Sequence, residues 1–334
     1  MQSYGDKNKD IKFGILEMSI TRLMGFAAYA RLVLAGLLLM DEKGLIPYID
    51  IKSRHYTEKH KINGTLNVYE YFFEQPCDVV LNRHISRKEI LQSANVEILS
   101  EADIESVNEA NGERGFYYLF NNYELLKRMA MILHKYIRIN RFSGGVYQEI
   151  KDILGEDMGK TIGIHVRRGD FKGINPGHPI AVDPIEHLNI FKRIRNNRKA
   201  FLATDDEEVI AMYANNEEGK MGHVIWYKDV LRTPKELSDE NISIYSCEEK
   251  RENHKYRLGY EILKDILTLS YCDSLIAGYS NVALLAKIIK ISRGEEFTDY
   301  YIIDKGFREM NGDYRAQYHK QQVKASDREV HPLA

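Results

Sequence analysis

From Thr161 to Ile303 short, β-branched apolar runs alternate with longer segments of helical period, and this alternation leaves few folds open. Strands are predicted at Thr161–Val166, Lys199–Ala203, His223–Tyr227, Asp273–Ala277 and Asp299–Ile303. Helices are predicted between them over Pro184–Asn196, from the Thr204-Asp205-Asp206 turn to about Asn215, over Tyr256–Cys272 and over Val282–Ile291. Pro184 stands at a first helical turn, where its missing N–H costs nothing. Thr204 or Asp205 can cap the helix that follows. Strand and helix in regular alternation give a parallel, doubly wound α/β sheet.

The first half repeats the theme less regularly. Ile11–Met18 reads as a strand, Leu23–Met40 as an apolar helix and Leu45–Ile51 as a second strand, which together make a βαβ unit. The apolar segment is nearly long enough to cross a bilayer. It carries Arg31 in its middle and sits between two strands, so a buried crossover helix is the reading favoured over a membrane span. An aromatic segment, Asn67–Pro76, is stopped by its proline, and Val96–Leu99 is a further strand. Helical period returns over Leu119–Ile139 and Tyr147–Leu154. The polar, glycine-bearing stretch Gly155–Gly159 then marks a domain boundary. The division expected is residues 1–157, 158–310 and a polar tail, 311–334.

With 334 residues the chain can bury two proper cores. A formal net charge of −2 offers no basic field for nucleic acid or an anionic membrane. The three cysteines, Cys77, Cys247 and Cys272, form neither a metal-ligand spacing nor a disulfide framework, which suits a reducing, cytoplasmic setting. The N-terminus lacks the apolar stretch of a secretory signal.

The chemistry is concentrated where strands end. Thr161–Val166 runs directly into His165, Arg167, Arg168 and Asp170. Ligands of open α/β sheets bind beyond the carboxyl ends of the strands, and an arginine fork matches phosphate. A structural Arg–Asp pair closing the loop is the competing reading. Asp205 and Asp206 follow the next strand. Either can accept the paired donors of a guanine edge, and either can simply cap a helix. Tyr279, Ser280 and Asn281 lead into a helix whose free amides suit phosphate, although Ser280 can equally be a plain cap. Three loops on one sheet edge together point to a nucleoside diphosphate. There is no GxGxxG after the first strand, no P-loop and no GxSxG elbow.

The blocks IGIHVRRGD (162–170), FLATDDEEV (201–209) and YRLGYEILKDILTLSYCDSLIAGYSNVALLA (256–286) resemble the fucosyltransferase superfamily, nearest its α1,6-type and nodulation-type branch. The clear match spans about 130 residues of the second half. A fainter one covers the first βαβ unit, where Gly25-Phe26 stands at a glycine-bearing loop near the diphosphate. The resemblance implies a GT-B-like fold, with two Rossmann-like domains of mostly parallel sheet and a cleft between them. It implies inverting, metal-independent transfer of fucose from GDP-fucose to a glycan or glycolipid hydroxyl, with no cofactor beyond the donor. It also implies no nucleic-acid partner, and at most peripheral membrane contact at the inner face. Carried over by motif, Arg167 holds the β-phosphate and stabilises the leaving group, His165 and Asp205 contact the nucleotide, and 279–281 lines the diphosphate or ribose. The related branch has a glutamate base shortly after HxRRxD. Here the loop offers no acid until Asp183, so Asp170, His178 and Asp183 are the candidates for the base. Two alternatives stay open: a different GDP-sugar such as GDP-mannose, or a nucleotide-sugar-binding partner protein without catalysis.

Overall fold

The computed structural model describes residues 5–20, 24–104, 119–168, 178–235, 251–306 and 331–332. Two sheets organise the chain. The first contains β1 (Lys7–Ile20), β2 (Ile46–Ser53) and β3 (Ser93–Leu99) in the order β2-β1-β3, all parallel. β1 is buried on both faces. Phe13 and Ile15 pack with Val96 and Cys77 beneath two short helices, α2 (Pro76–Leu81) and α3 (Arg87–Ile90). Leu16, Met18 and Ile20 point the other way, into the cluster that includes α1 (Phe26–Glu42). This is the near-continuous apolar run that a doubly covered parallel strand requires.

The aromatic segment is not ended by its proline. Pro76 is the first residue of α2, a position whose amide needs no partner, and Tyr69–Tyr71 form a 3-10 turn ahead of it. Two side chains from this region close the open edge of β2. Asn67 accepts from Ile51 N at 3.0 Å and donates to Ile49 O at 2.6 Å, while Gln75 accepts from Ile49 N at 2.9 Å. Satisfying these groups removes a pairing edge from the sheet.

After α4 (Tyr123–Tyr136) and α5 (Val146–Leu154), the second sheet begins with β4 (Ile162–Val166). Its other strands are β5 (Ala200–Thr204), β6 (Val224–Ile225), β7 (Ser274–Gly278), β8 (Tyr300–Ile303) and β9 (His331–Pro332). The order is β6-β5-β4-β7-β8-β9, parallel except where β9, from the polar tail, pairs antiparallel with β8. α6 (Pro184–Ile194) and α7 (Glu207–Asn215), followed by the short α8 (Glu217–Lys220), accompany β5 and β6. Leu188, Phe191 and Tyr213 pack with Ile162 and Ile164 on one face of the sheet. α9 (His254–Tyr271) and α10 (Asn281–Ser292) cover the other face.

These are two Rossmann-like α/β units, the plan of a GT-B-like fold. One apolar cluster runs from Leu16 of the first sheet through α1, α4, α9 and α10 to Leu275 and Ala277 of the second, so the units share a helical layer. Among the described residues no helix is long and apolar enough to cross a membrane. The apolar stretch that raised that alternative is α1, buried within the shared layer.

Candidate functional site

Register puts the three loops on one edge. His165 of β4 lies opposite Ala203 of β5 and Ala277 of β7, and Val166 lies opposite Thr204. The three central strands therefore end together, and Arg167, Asp205 and Tyr279 leave the sheet side by side.

His165 is buried, and its Nδ1 is 3.1 Å from Ser280 Oγ. Ser280 also caps α10, accepting from Ala283 N at 3.1 Å. One hydroxyl thus fixes the imidazole and the helix end together, so Ser280 is a cap as well as the partner of His165. Burial, then the Arg167 charge and His187, push the His165 imidazole down to about 3, so it is neutral near pH 7. His187 on α6 is itself pushed down to about 4, chiefly by burial.

The two arginines diverge, as alternation along an extended chain requires. Arg167 Nη1 donates to Asp205 Oδ2 at 2.7 Å, and Asp205 Oδ1 accepts from Arg168 N at 3.1 Å. Asp205 therefore holds Arg167 and Arg168 where they leave β4. Arg168 turns to Glu208 at 3.3 Å and Asp206 at 3.9 Å. Asp206, rather than Thr204 or Asp205, caps α7, its carboxylate accepting from Glu208 N at 2.8 Å. Asp205 is engaged by Arg167 and Arg168, which leaves the cap to its neighbour. The ring of Tyr279 packs edge-on against Phe120 at 5.0 Å, and its hydroxyl donates to Asp304 at 3.4 Å.

The other predicted residues are more dispersed. Asp170 lies outside the described residues. His178 is exposed, on the stretch leading into α6. Asp183 caps α6 through Ile185 N at 2.9 Å, so its carboxylate has a structural task. Gly25 precedes α1 in the other unit. Its neighbour Phe26 meets Phe72 edge-on, and at Gly259 of α9 a Cβ would come within 2.8 Å of the Phe72 ring. That close approach joins the Gly25 corner to the second unit.

Sequence reasoning missed one wall. The stretch after β6 returns to the site, with Thr233 N donating to Asp205 O at 2.8 Å and Glu207 N to Thr233 O at 3.1 Å. Arg232 beside it is buried and donates to Tyr227 O at 2.8 Å and Val230 O at 3.0 Å. Arg232 and Lys264 act electrostatically on Asp265 of α9, whose carboxyl burial raises to about 7. A Lys-Asp pair set between apolar neighbours, Glu261-Ile-Leu-Lys-Asp-Ile-Leu, was the available signal. Four buried side-chain atoms without a hydrogen-bond partner belong to this region: His187 Nε2, Arg232 Nε, Thr233 Oγ1 and Asn281 Oδ1. Leaving such atoms unsatisfied is costly, and polar ligand atoms would relieve it. Among the described residues no group of three or more His, Cys, Asp or Glu side chains could hold a metal ion.

No protein-family model matches the sequence, and no curated protein matches it. Solved structures are similar to it at low identity. One is a NodZ α-1,6-fucosyltransferase crystal soaked with GDP-fucose, at 15% identity and TM-score 0.46, covering 88% of this chain and 96% of that one. Another is the fucosyltransferase NodZ from Bradyrhizobium, at 13% identity and TM-score 0.46, covering 88% and 95%. A third is an Arabidopsis thaliana FUT1 mutant in complex with GDP, at 9% identity and TM-score 0.44, covering 92% and 73%. The strand orders of the two sheets define the α/β plan independently of these likenesses.

Proposed function

We propose that the carboxyl edge of β5, β4 and β7 binds a GDP-sugar and that the chain is an inverting, metal-independent fucosyltransferase acting on a glycan or glycolipid. The observation that carries this reading is the convergence at one edge of a neutral His165, the Arg167–Asp205 pair and the Ser280-capped helix, beside four unpartnered buried polar atoms. His165–Arg168 of the HVRRGD motif and the ATDD motif, which resemble the superfamily, fall on this edge.

In this reading Arg167 and the first amides of α10 hold the diphosphate. The acceptor hydroxyl oxygen bonds to the anomeric carbon as the bond from that carbon to the β-phosphate oxygen breaks, and GDP leaves with the charge. Arg167 stabilises that charge as it develops. The acceptor proton goes to a base on the loop after β4, with Asp170 and His178 the candidates.

A nucleotide-sugar-binding protein without transfer is the second reading. One observation favours it: the loop has no acid between Asp170 and Asp183, and Asp183 is spent on a cap. Thermal shift with GDP, UDP and their sugars tests binding, since a ligand at 100 times its Kd stabilises by about 2.7 kcal/mol. Release of GDP from GDP-fucose, compared with GDP-mannose and with acceptor omitted, separates the two readings. A shift by UDP equal to that by GDP would remove the donor assignment.

A further inference from the structure

An apolar cavity of about 240 Å³ lies in the helical layer shared by the two units. Its walls come from both: Phe26 and Val33 of α1, Leu133 of α4, Leu267 of α9 and Ile289 of α10. Protein interiors seldom leave a void much larger than a water molecule. This one exceeds the roughly 150 Å³ of an apolar cavity known to take up benzene. It falls short of the roughly 300–1,000 Å³ usual for drug-sized ligands. Its size fits one flexible hydrocarbon chain.

The residues around it include two arginines, Arg138 and Arg293, and no carboxylate. Arg138 is exposed, just beyond the C-terminus of α4, where its Nη1 donates to His134 O at 2.7 Å and Ile137 O at 2.8 Å. Among the described residues no acidic side chain pairs with it. Arg293 is already engaged: it lies over the Tyr271 ring at 4.3 Å, its Nε and Nη2 donate to Glu295 at 3.2 and 3.4 Å, and its Nη1 and Nη2 donate to Ser270 Oγ and O. Tyr147, also on the wall, is partly open to solvent, so the cavity has a mouth on this side. An apolar interior, an exposed arginine without an acidic partner on its wall and a chain-sized volume describe the complement of a single-chain anionic amphiphile.

We infer that this cavity binds one hydrocarbon chain whose anionic head group, a carboxylate or a phosphate monoester, rests at Arg138. The site is separate from the nucleotide edge and does not depend on its assignment.

The test titrates the full chain with cis-parinaric acid, a fluorescent long-chain carboxylate. It is then displaced with a saturated carboxylate, a prenyl phosphate and an alcohol of matching length. Saturable binding of one probe per chain is expected, with one or both anions displacing it about tenfold better than the alcohol, the scale of a charge-assisted contact. The better anion identifies the source of the ligand. Ala30→Phe and Ile289→Phe fill the cavity from opposite walls, so one remains informative if the other fails to fold. Each is expected to weaken the probe about tenfold or more, and Arg138→Gln to remove the preference for anions over the alcohol. GDP thermal shift on the same variants keeps the nucleotide site under separate watch. Non-saturable uptake, unchanged affinity in both filled variants, or an alcohol that displaces the probe as well as both anions overturns the inference.

Discussion

Replacing Arg167 with lysine separates holding the loop from stabilising a leaving group. The Arg167 side chain is 22% exposed and its partner Asp205 10%, with 2.7 Å between Nη1 and Oδ2. A charge-assisted bond of this kind is worth about 1.5–3 kcal/mol. A guanidinium presents five donors in a planar fork, so it can keep Asp205 and still reach a phosphate oxygen. A lysine nitrogen is a single point on a flexible stem, and Asp205, fixed by Arg168 N at 3.1 Å, competes for it. In the GDP-sugar reading lysine at 167 therefore keeps most of the stability of the contact with Asp205 and loses the directed contact to the β-phosphate. Loss of one such donor costs about 10²–10³ in kcat, or roughly 2.7–4 kcal/mol at the transition state. The expectation is that Arg167→Lys comes close to Arg167→Ala in kcat, while its melting temperature stays nearer the wild type. GDP affinity should change less than kcat, because the interaction strengthens as charge leaves the sugar. Steady-state GDP release, GDP titration and thermal melts on both variants give the three quantities. Arg168→Lys, whose side chain faces Glu208 and Asp206, is the control. If Arg167→Lys keeps about half of wild-type turnover, or if Arg168→Lys is the more damaging change, the division of labour between the arginines is wrong.

Ser280→Ala removes a helix cap and the partner of His165 together. It is expected to destabilise by about 0.5–2 kcal/mol in denaturant melts and to weaken GDP, and Ser280→Thr should restore the cap. His165 and His187 are held neutral, with folded values of about 3 and 4 below an ordinary value of 6.5. The unfolded chain therefore binds more protons between those limits. The stability they contribute is complete above about pH 6.5 and is lost on acidification toward pH 4–3, by up to about 1.4 kcal/mol per pH unit for each histidine. A denaturation series over pH 7 to 4 should show that slope, and His187→Gln should flatten it. A slope left unchanged by His187→Gln counts against burial of a neutral ring. Lys264 is 2% exposed, while its partners Glu149 and Asp229 are 38% and 72% exposed, so the buried member decides the cost. Lys264→Met should cost less than about 1.5 kcal/mol, and Glu149→Ala should cost more, because it strips a buried ammonium. Equal losses in urea melts would contradict that asymmetry.

The fold was legible because its strands and helices differ in period and length. β4, β5, β7, α9 and α10 lie within two residues of the ranges read from the apolar pattern. α2 and α3, of 6 and 4 residues, were missed because such short helices have no room for a repeat. Pro76 was misread for the same reason: a proline that ends one segment and one that opens the next look alike until the helix beyond is seen. At the site, residue types were legible and partnerships were not. His165 and Ser280 are 115 positions apart and meet because β4 is central, with β5 on one side and the sequence-distant β7 on the other. The choice of Asp206 over Asp205 as cap depends on where the Arg167 guanidinium lands, which no local pattern encodes. The return of Arg232 and Thr233 to the site was hidden because that stretch has no regular period.

In the GDP-sugar reading two carboxylates are candidates for the guanine edge, and pH can separate them. Asp205 already accepts from Arg167 and from Arg168 N, whereas Asp265 sits on α9 with its carboxyl raised to about 7 by burial, against the pull of Arg232 and Lys264. Guanine offers two adjacent donors, which favour an ionised acceptor. If Asp265 receives them, binding must remove its proton, because hydrogen bonds to the charged form lower a carboxyl pKa. GDP affinity then rises with pH across the range in which the free carboxyl titrates, about tenfold per unit below its midpoint, and levels off above it. UDP lacks the paired donors and should show no such slope. If Asp205 receives the base, Asp205→Ala should weaken GDP far more than UDP, and the GDP profile should stay flat between pH 6 and 8. GDP titrations over that range on wild type, Asp205→Ala and Asp265→Asn decide the matter. A rising wild-type profile that Asp265→Asn abolishes assigns the base to Asp265 and leaves Asp205 as the residue that aims Arg167. A flat profile with GDP-selective loss in Asp205→Ala assigns it to Asp205. Equal loss of GDP and UDP in both variants would mean that neither carboxylate reads the base, and the guanine assignment would fall with it.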